Sequence, residues 1–176
     1  MVTTSFAGRV FRCIPHSSTE PLSTVSSLQY GGRWNSPESF PVLYTFLNRN
    51  LARTWVEARF NRDGVALTDA QPEILPDLLV LECDIEPLAD LTSDAGLEAV
   101  GLPDTYPKGF ETEAAYGITR RIGTQIFNER AQGILTRSAT APTWSGPTVN
   151  WGELAVFTSY APVPALVERV SYEQWL

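Results

Sequence analysis

The chain has 176 residues, of which 43% are hydrophobic and 19% are charged. This size and composition predict one soluble globular domain over residues 1–176 and exclude a disordered or fibrous chain. Twenty acidic and 13 basic side chains leave a net charge of −7, which disfavours nucleic acid as a direct partner because its phosphates would be repelled. We find no apolar run of roughly 18 residues and no signal peptide, so we expect a cytoplasmic protein without membrane contact.

Six short apolar runs, separated by proline and glycine residues, predict β-strands. They are residues 10–11, 42–46, 78–85, 133–136, 154–158 and 165–170. The segment between residues 85 and 107 is rich in turn-forming residues, and a short turn of helix is expected at 95–100. Because strands and helices do not alternate regularly, we predict an α+β fold rather than a doubly wound α/β fold.

Two longer segments predict helices. In the first, an asparagine at position 48 or 50 can cap a helix whose apolar stripe consists of Leu51, Trp55 and Ala58. In the second, alanine and isoleucine recur every four positions over residues 114–126. Acidic residues precede this second run and a basic residue and a glycine follow it, as is typical of the two ends of a helix.

Cysteine and histidine are rare in the sequence. Cys13 and Cys83 do not form a disulfide framework, which is typical of a reducing compartment. Cys13 and His16 have the spacing of half a metal site, but no second pair completes four ligands, so we expect no metal. The sequence also has no G-x-S-x-G elbow, Walker loop or G-x-G-x-x-G turn. An enzyme of this composition would work without histidine, metal or a Rossmann-bound dinucleotide.

The most unusual segment is YGGRWN at residues 30–35. Its two glycines permit a tight turn or a close approach of the backbone to a ligand. Arg33 could bind a phosphate through two parallel hydrogen bonds, and the aromatic residues Tyr30 and Trp34 could stack on a ring. Taken alone, a tight turn with a solvated arginine and a core tryptophan is the simpler interpretation.

Two further residues could contribute to a site. On a helical wheel Glu57 lies roughly 120° from the predicted apolar stripe, at the border of the buried face, where its carboxylate could line a cleft. The simpler interpretation is a flank glutamate with a weak pair to Arg53. Ser138 follows the strand at 133–136 and could offer its hydroxyl to a ligand amide or sugar, although such a serine more often caps a turn.

These segments, in this order, resemble the RES domain, a family of bacterial toxins named for an arginine, a glutamate and a serine. The family signature begins with a Gly-Gly-Arg-Trp-Asn turn, here residues 31–35, followed by a Val-Leu-Tyr strand, here 42–44. A helix then carries the glutamate, here Glu57, and a Gly-hydrophobic-x-x-x-Ser-Ala segment carries the serine, here Ser138. A strand that follows Asn150 and ends in phenylalanine completes a resemblance that covers a core of about residues 8–157.

The resemblance implies an ADP-ribosyltransferase-like fold, in which two small sheets form a split barrel that holds NAD in the cleft between them. It implies that NAD is consumed as a substrate, with no permanently bound cofactor. It also implies a cognate antitoxin with an Xre-like helix-turn-helix domain. Cleavage of the nicotinamide–ribose bond produces an oxocarbenium-like sugar, which needs a fixed negative charge, a cation for the pyrophosphate and an aromatic wall. This sequence offers all three without a histidine or metal.

The same resemblance assigns roles to individual residues. Glu57 would contact the ribose hydroxyls and the developing positive charge, and Arg33 would hold a phosphate or the ribose. Ser138 would donate a hydrogen bond near the nicotinamide or ribose, and Tyr44 would pack on the nicotinamide, although a core strand residue is an equal interpretation of Tyr44. The remaining candidates for NAD binding are Trp34, Asn35 and Asn150. A packed indole and an amide that ties down the turn are the simpler interpretations of the first two.

Several alternatives stay open. Water, inorganic phosphate or a protein side chain could accept the ADP-ribosyl group, and the last would make the protein an ADP-ribosyltransferase. Arg33 and Arg137 are the candidates for phosphate binding, although alternation along the strand turns Arg137 away from Ser138. The competing hypothesis from another class is a non-catalytic protein-binding module of the same fold. The sequence also leaves a homo-oligomer or hetero-oligomer open.

Overall fold

The structure is a computed structural model that describes residues 1–110, 112–140 and 152–176. Six strands are described: β1 (Thr3–Pro15), β2 (Val42–Phe46), β3 (Pro76–Leu91), β4 (Gly133–Arg137), β5 (Gly152–Phe157) and β6 (Ala165–Val170). The helices of this part of the chain are α1 (Val25–Tyr30), α2 (Arg49–Arg62), α3 (Asp94–Ala99), α4 (Tyr116–Asn128) and α5 (Tyr172–Trp175). Each predicted strand and helix is present, and the α+β class is confirmed.

All six strands belong to one hydrogen-bonded sheet with the order β1-β2-β5-β4-β3-β6, in which β1 also pairs with β3. The two long strands are antiparallel from the pair Thr3–Ala89 to the pair Pro15–Pro76. At one end of β3 the parallel strand β4 pairs with residues 88–91, and at the other end β6 pairs with residues 78–82. The family resemblance implied two small sheets in a split barrel, which is not confirmed, because β3 is long enough, at 16 residues, to connect both regions in one sheet.

Helix α2 begins where the sequence places it but presents a different face to the core. The side chain of Asn48 accepts a hydrogen bond from the backbone N–H of Leu51 and thereby caps the helix. The buried residues of α2 are Leu51, Ala52, Val56 and Phe60, whereas Ala58 is exposed. The predicted stripe of Leu51, Trp55 and Ala58 therefore differs from the buried face.

The core lies on both faces of the sheet. Because neighbouring residues of a strand point to opposite faces, Ala155 and Phe157 of β5 pack with Trp34 on one face, while Leu154 and Val156 pack on the other. Trp34 is fully buried in this first group. It anchors the segment that follows α1 against the sheet, and this anchoring fixes the position of the neighbouring Arg33.

Candidate active site

An open cavity of about 710 Å³ lies beside β2, between the segment after α1 and helix α2. This volume falls within the range of roughly 300 to 1,000 Å³ that is usual for small-molecule sites. The charged residues that line it, within the described part of the chain, are four arginines and one glutamate: Arg12, Arg33, Arg59, Arg62 and Glu153. A chain with a net charge of −7 thus gathers four of its 13 basic side chains at one cavity. The aromatic residues of the lining are Tyr30, Tyr44, Phe46, Trp55 and Tyr116.

Two glycines shape the turn that presents Arg33. Gly31 has a φ of +70°, in the left-handed region that favours glycine. Gly32 packs directly on the ring of Tyr44, because a Cβ at this position would lie 2.5 Å from the Tyr44 hydroxyl oxygen. Helix α4 holds the same turn from the other side, since Arg120 Nε donates to the Gly32 carbonyl at 2.8 Å and Thr119 Oγ1 donates to the Arg33 carbonyl at 2.7 Å. The backbone of Arg33 is therefore fixed at the cavity wall.

The residues beside Arg33 form a hydrogen-bonded support. The Tyr44 hydroxyl donates to Asn35 Oδ1 at 2.8 Å and accepts from the Trp34 backbone N–H at 3.0 Å. Asn35 Nδ2 donates to the carbonyls of Ser27 and Phe40. Burial raises the pKa of Tyr44, so the hydroxyl stays protonated and remains a donor. Tyr44 thus offers only its ring to the cavity.

Trp34 and Asn35 do not lie where a substrate in the cavity could contact them. Both are fully buried, and neither lines the cavity. Trp34 packs against Tyr106. The Asn35 amide makes hydrogen bonds within the protein through both its nitrogen and its oxygen. Of the two interpretations that the sequence offered, their contacts correspond to the architectural one.

Arg33 is available to a ligand. Its Nη1 lies 3.5 Å from the Tyr106 hydroxyl, and its guanidinium lies 6.0 Å from the ring centre of Tyr116. Within the described part of the chain it forms no ion pair. Burial alone would lower the pKa of Arg33, but the Glu153 carboxylate and the Tyr106 hydroxyl outweigh burial, so its pKa is raised. The guanidinium therefore keeps its full charge and most of its donors.

Arg12 forms a second positive point in the cavity lining. Its Nη1 and Nη2 donate to the carbonyls of Tyr44 and Ser23, at 3.3 and 2.9 Å. Its Nε is buried and has no hydrogen-bond partner among the described residues. Burial lowers the pKa of Arg12 to about 10, although the neighbouring Cys13 opposes the shift. Burying a guanidinium without a carboxylate partner is costly, which is typical of a group that meets an anionic ligand.

Glu153 is the second residue of β5 and is held by the predicted serine. Ser138 Oγ lies 2.5 Å from Glu153 Oε1 and donates to it, and the same Oγ accepts from the Thr140 backbone N–H at 3.2 Å. Ser138 is 1% exposed and does not line the cavity, whereas Glu153, Ala139 and Thr140 do. The structure thus brings Ser138 next to the site, in contact with its carboxylate rather than with the cavity.

Glu57 lies on another side of α2. Its Oε1 accepts a hydrogen bond from Arg53 Nε at 3.0 Å, with both side chains about half exposed. The residues of α2 that line the cavity are Trp55, Ala58, Arg59 and Arg62, and Glu57 is not among them. At 100° per residue, Glu57 points roughly 150° away from this group. The expectation that Glu57 borders the cleft is therefore not met, because Trp55 and Ala58, two of the three residues assigned to the apolar stripe, line the cavity instead.

Arg137 is not available for phosphate. Its Nε donates to the Thr92 carbonyl at 2.9 Å, and its Nη1 donates to the carbonyls of Asp104 and Tyr106 at 2.6 and 3.3 Å. Its Nη2 donates to Asp94 Oδ1 at 2.7 Å. The side chain is 4% exposed and fixes the loop that carries α3. The phosphate-binding role considered for Arg137 is wrong, since the fold itself uses its donors.

Several cavity residues were not predicted from the sequence. Arg12, Arg59, Arg62, Trp55 and Tyr116 reach the cavity from three different elements, so no local spacing connects them. Glu153 carried one local signal, a charged residue at the start of an apolar strand. Asn150 lies outside the described residues. In the described part of the chain no group of three or more His, Cys, Asp or Glu could hold a metal ion, and no helix is long and apolar enough to cross a membrane.

An α+β fold with a cationic and aromatic cavity beside a Gly-Gly-Arg-Trp-Asn turn defines a class of protein that the sequence comparison identifies. The RES domain family matches residues 9–176, and the chain belongs to this family. No curated protein matches the chain.

A solved structure has a similar fold. It is the MbcT toxin in the crystal structure of the M. tuberculosis MbcT–MbcA toxin–antitoxin complex. The TM-score is 0.75 at 19% sequence identity, and the match covers 97% of this chain and 90% of that chain. The likeness therefore extends over nearly the whole chain.

Proposed function

We propose that this protein is an NAD-degrading toxin of a bacterial toxin–antitoxin system, which cleaves the nicotinamide–ribose bond. The observation that carries the proposal is the cavity itself, in which four arginines and several aromatic rings face a single glutamate among the described residues. Membership in the RES domain family supports the proposal, since the resemblance to this family implies a toxin that consumes NAD. The similar MbcT fold, found in a toxin–antitoxin complex, supports a partner antitoxin.

The reaction fits this set of side chains. When the bond between the nicotinamide nitrogen and the ribose C1″ breaks, its electron pair stays with the nicotinamide, which leaves as a neutral molecule. The positive charge moves to the ribose as an oxocarbenium ion. Water adds its oxygen to this carbon and loses a proton to solvent, giving ADP-ribose, or inorganic phosphate adds to give ADP-ribose-1″-phosphate. A fixed negative charge at the ribose and cations at the pyrophosphate stabilise this path.

The arginines would hold the pyrophosphate. Arg33 retains its donors, and its guanidinium can fork onto two phosphate oxygens. Arg12 has a buried Nε without a partner in the described residues, which adds a second site for an anionic oxygen. The ring of Tyr44 would form the aromatic wall against nicotinamide, with its hydroxyl fixed by Asn35.

Two carboxylates are candidates for the ribose. The family resemblance assigns Glu57, and the cavity geometry favours Glu153. We also propose that phosphate is an acceptor, because the cavity carries more cations than a single pyrophosphate needs. The ADP-ribosyltransferase-like arrangement of the sheet, the cytoplasmic location and an Xre-type helix-turn-helix antitoxin belong to the same proposal.

The test is direct. The purified chain is incubated with NAD, with and without inorganic phosphate, and the products are identified by mass. We expect free nicotinamide, with ADP-ribose-1″-phosphate formed and the rate increased when phosphate is added. Arg33→Ala should abolish turnover, whereas Arg9→Ala, at an exposed arginine on β1, should retain it.

Three outcomes have different meanings. No nicotinamide release by the folded chain would contradict the proposal and favour a binding module. Plain ADP-ribose as the only product, at a rate independent of phosphate, would make water the acceptor. Transfer of the ADP-ribosyl group to protein in an added lysate would make it an ADP-ribosyltransferase. In cells, expression of the chain alone should arrest growth and lower NAD, and Arg33→Ala should restore both.

A further inference from the structure

We propose that Glu153, positioned by Ser138, is the catalytic carboxylate of this chain and that Glu57 has no part in the reaction. This inference rests on the proposed NAD cleavage and names the residue that stabilises the ribose cation. It departs from the family resemblance, in which the glutamate of the helix carries this role.

The position of Glu153 in the sheet places its side chain at the cavity. It is the second residue of β5 and pairs with Phe46 of β2 on one side and Thr136 of β4 on the other. Tyr44 is opposite Ala155, two residues further along β5. Because alternate residues of a strand point to the same face, Glu153 shares the face of Tyr44. A ligand ring against Tyr44 would therefore have the Glu153 carboxylate beside it.

Ser138 holds one oxygen of this carboxylate by a hydrogen bond and leaves the other oxygen open to a ligand. Its hydroxyl donates to Glu153 Oε1, and its own Oγ accepts from the Thr140 backbone N–H, which orients the hydroxyl. Among the described residues no hydrogen bond is made to Glu153 Oε2. A carboxylate with one oxygen anchored and one open toward a cavity is preorganised to face a developing positive charge.

The charges around Glu153 fit the same role. Glu153 helps to raise the pKa of Arg33, so the two groups attract each other electrostatically. They are not in an ion pair within the part of the chain that the structure describes. The space between them can hold a substrate whose phosphates meet Arg33 and whose ribose meets Glu153. An ion pair formed within the protein would close this space.

Glu57 lacks each of these features. Its carboxylate is partly exposed, bound to Arg53 of the same helix and outside the cavity lining. A solvated carboxylate of this kind exerts a weak field on a bound ligand, because water screens its charge. In its place along α2, the cavity meets Trp55, Arg59 and Arg62.

In the proposed step Glu153 forms no covalent bond. The nicotinamide leaves with the electron pair of the broken bond, and the Glu153 oxygen stabilises the positive charge on C1″ and the ring oxygen. Water or phosphate then adds to C1″, and the proton of an attacking water passes to solvent. Ser138 acts as a positioning residue, since it touches the carboxylate and not the cavity.

The experiment compares Glu153→Gln, Glu57→Gln and Ser138→Ala in the full chain, with Glu168→Gln on the exposed strand β6 as a charge-matched control. Nicotinamide release gives kcat and KM, and binding is measured separately with carba-NAD, whose ribose cannot form an oxocarbenium ion. We expect Glu153→Gln to lower kcat by at least about 10²-fold while its affinity for carba-NAD changes by less than about threefold. Ser138→Ala should lower kcat in the same direction by less, with KM unchanged. The other two variants should turn over like the unmutated chain.

Glu153→Asp guards against a variant that fails to fold, because it retains the charge and shortens the side chain. A large fall in kcat with unaltered thermal unfolding supports the inference. Loss of turnover in Glu57→Gln with full activity in Glu153→Gln would overturn it and leave NAD cleavage standing. An unmutated chain that neither binds carba-NAD nor releases nicotinamide would overturn the proposed function and this inference together.

Discussion

Arg33 lies in the turn after α1 and Arg137 is the last residue of β4, and the fold uses the two guanidinium groups in opposite ways. Arg137 is 4% exposed and donates to three backbone carbonyls and to Asp94. Arg33 lines a cavity, makes one long contact to Tyr106 and forms no ion pair with a described residue. An arginine whose donors are all used by the protein stabilises a loop. One whose donors are left open in a cavity is available for a ligand.

The same contrast separates two groups of polar residues elsewhere in the chain. Outside the cavity lining, the buried Asp77 accepts hydrogen bonds from His16, Arg169 and the Tyr172 backbone N–H. This group, called here the Asp77 cluster, ties β1, β3, β6 and α5 together. In the cavity, Arg12 Nε and Glu153 Oε2 lack partners among the described residues. Polar groups whose hydrogen bonds are made within the protein stabilise the fold, whereas polar atoms without such partners lie at the candidate site.

The largest expected effect is the difference in stability between the variants that remove each of the two arginines. Arg137→Ala should lower the free energy of unfolding by about 3 kcal/mol or more, because three backbone carbonyls lose the charged donor of a buried side chain. Arg33→Ala should change it by less than about 1 kcal/mol, since few contacts within the protein are lost. Chemical denaturation of both variants measures the difference. Equal losses of stability in the two would show that Arg33 also serves the fold.

Next in size is the Asp77 cluster. Asp77→Asn should cost about 1 to 3 kcal/mol of unfolding free energy, because the hydrogen bonds from His16 and Arg169 lose their charged acceptor. Burial raises the pKa of Asp77, but the hydrogen bonds from His16, Arg169 and Tyr172 outweigh burial, and its pKa is lowered.

The sign of the pH dependence follows from that shift. A carboxyl with a lowered pKa contributes stability above its unfolded value of about 3.9, and this contribution is lost as the pH falls through the folded value. The unmutated chain and Asp77→Asn should therefore differ at neutral pH and converge in acid. A constant difference between their unfolding free energies down to acid pH would exclude Asp77 as the titrating group. NAD turnover at neutral pH should be equal in the two.

A substitution at Gly32 tests whether the hydrogen bonds of Tyr44 support the turn that carries Arg33. Gly32→Ala would place a Cβ 2.6 Å from the Cζ of Tyr44, so the ring must move and its two hydrogen bonds must stretch. We expect a loss of about 1 to 3 kcal/mol in stability, together with weaker NAD binding. Gly117→Ala is the matched control, because its Cβ would meet nothing within 4 Å in helix α4. It should be neutral or slightly stabilising, and a destabilising effect as large as that of Gly32→Ala would remove the steric explanation.

Much of the fold could be predicted from the sequence because its signals are local. Apolar runs bounded by prolines and glycines identified every strand, and the turn of helix expected at 95–100 is α3 (Asp94–Ala99). The length of β1 was missed, since small and polar residues such as Ser5, Gly8 and Arg9 interrupt its apolar pattern. The single sheet was missed because β3 pairs with three strands, and pairing between distant segments leaves no mark on the sequence.

The site was predicted in part, and the failure at α2 has a physical reason. Periodicity identifies an apolar face of a helix but not what the face meets. Trp55 and Ala58 read as core, yet they line the cavity, so Glu57 was placed at the cleft when it lies on another side. Glu153 came into the site through pairing with Phe46 and Thr136, 107 and 17 positions away, which no local pattern reveals. Arg33 and Tyr44 were found because the unusual turn and the strand lie close together in the sequence.

The smallest expected effect concerns the exposed arginines of the cavity wall. Arg59 and Arg62 lie on the same side of α2 as Trp55, and both are exposed. An exposed charge pair is worth about 0.2 to 1 kcal/mol, so Arg59→Gln or Arg62→Gln should raise the KM for NAD by no more than about fivefold. At physiological salt the screening length is about 8 Å, and this effect should shrink further as salt is added. Arg121→Gln, at an exposed position of α4 outside the cavity lining, is the control for net charge.

Steady-state kinetics at low and high salt distinguish a role of Arg59 and Arg62 in phosphate binding from a role in the reaction at the ribose. A rise in KM confined to low salt would place the phosphates near α2, whereas a fall in kcat at every salt concentration would mean that these arginines act on the reacting sugar and that Arg33 is not the principal cation of the site.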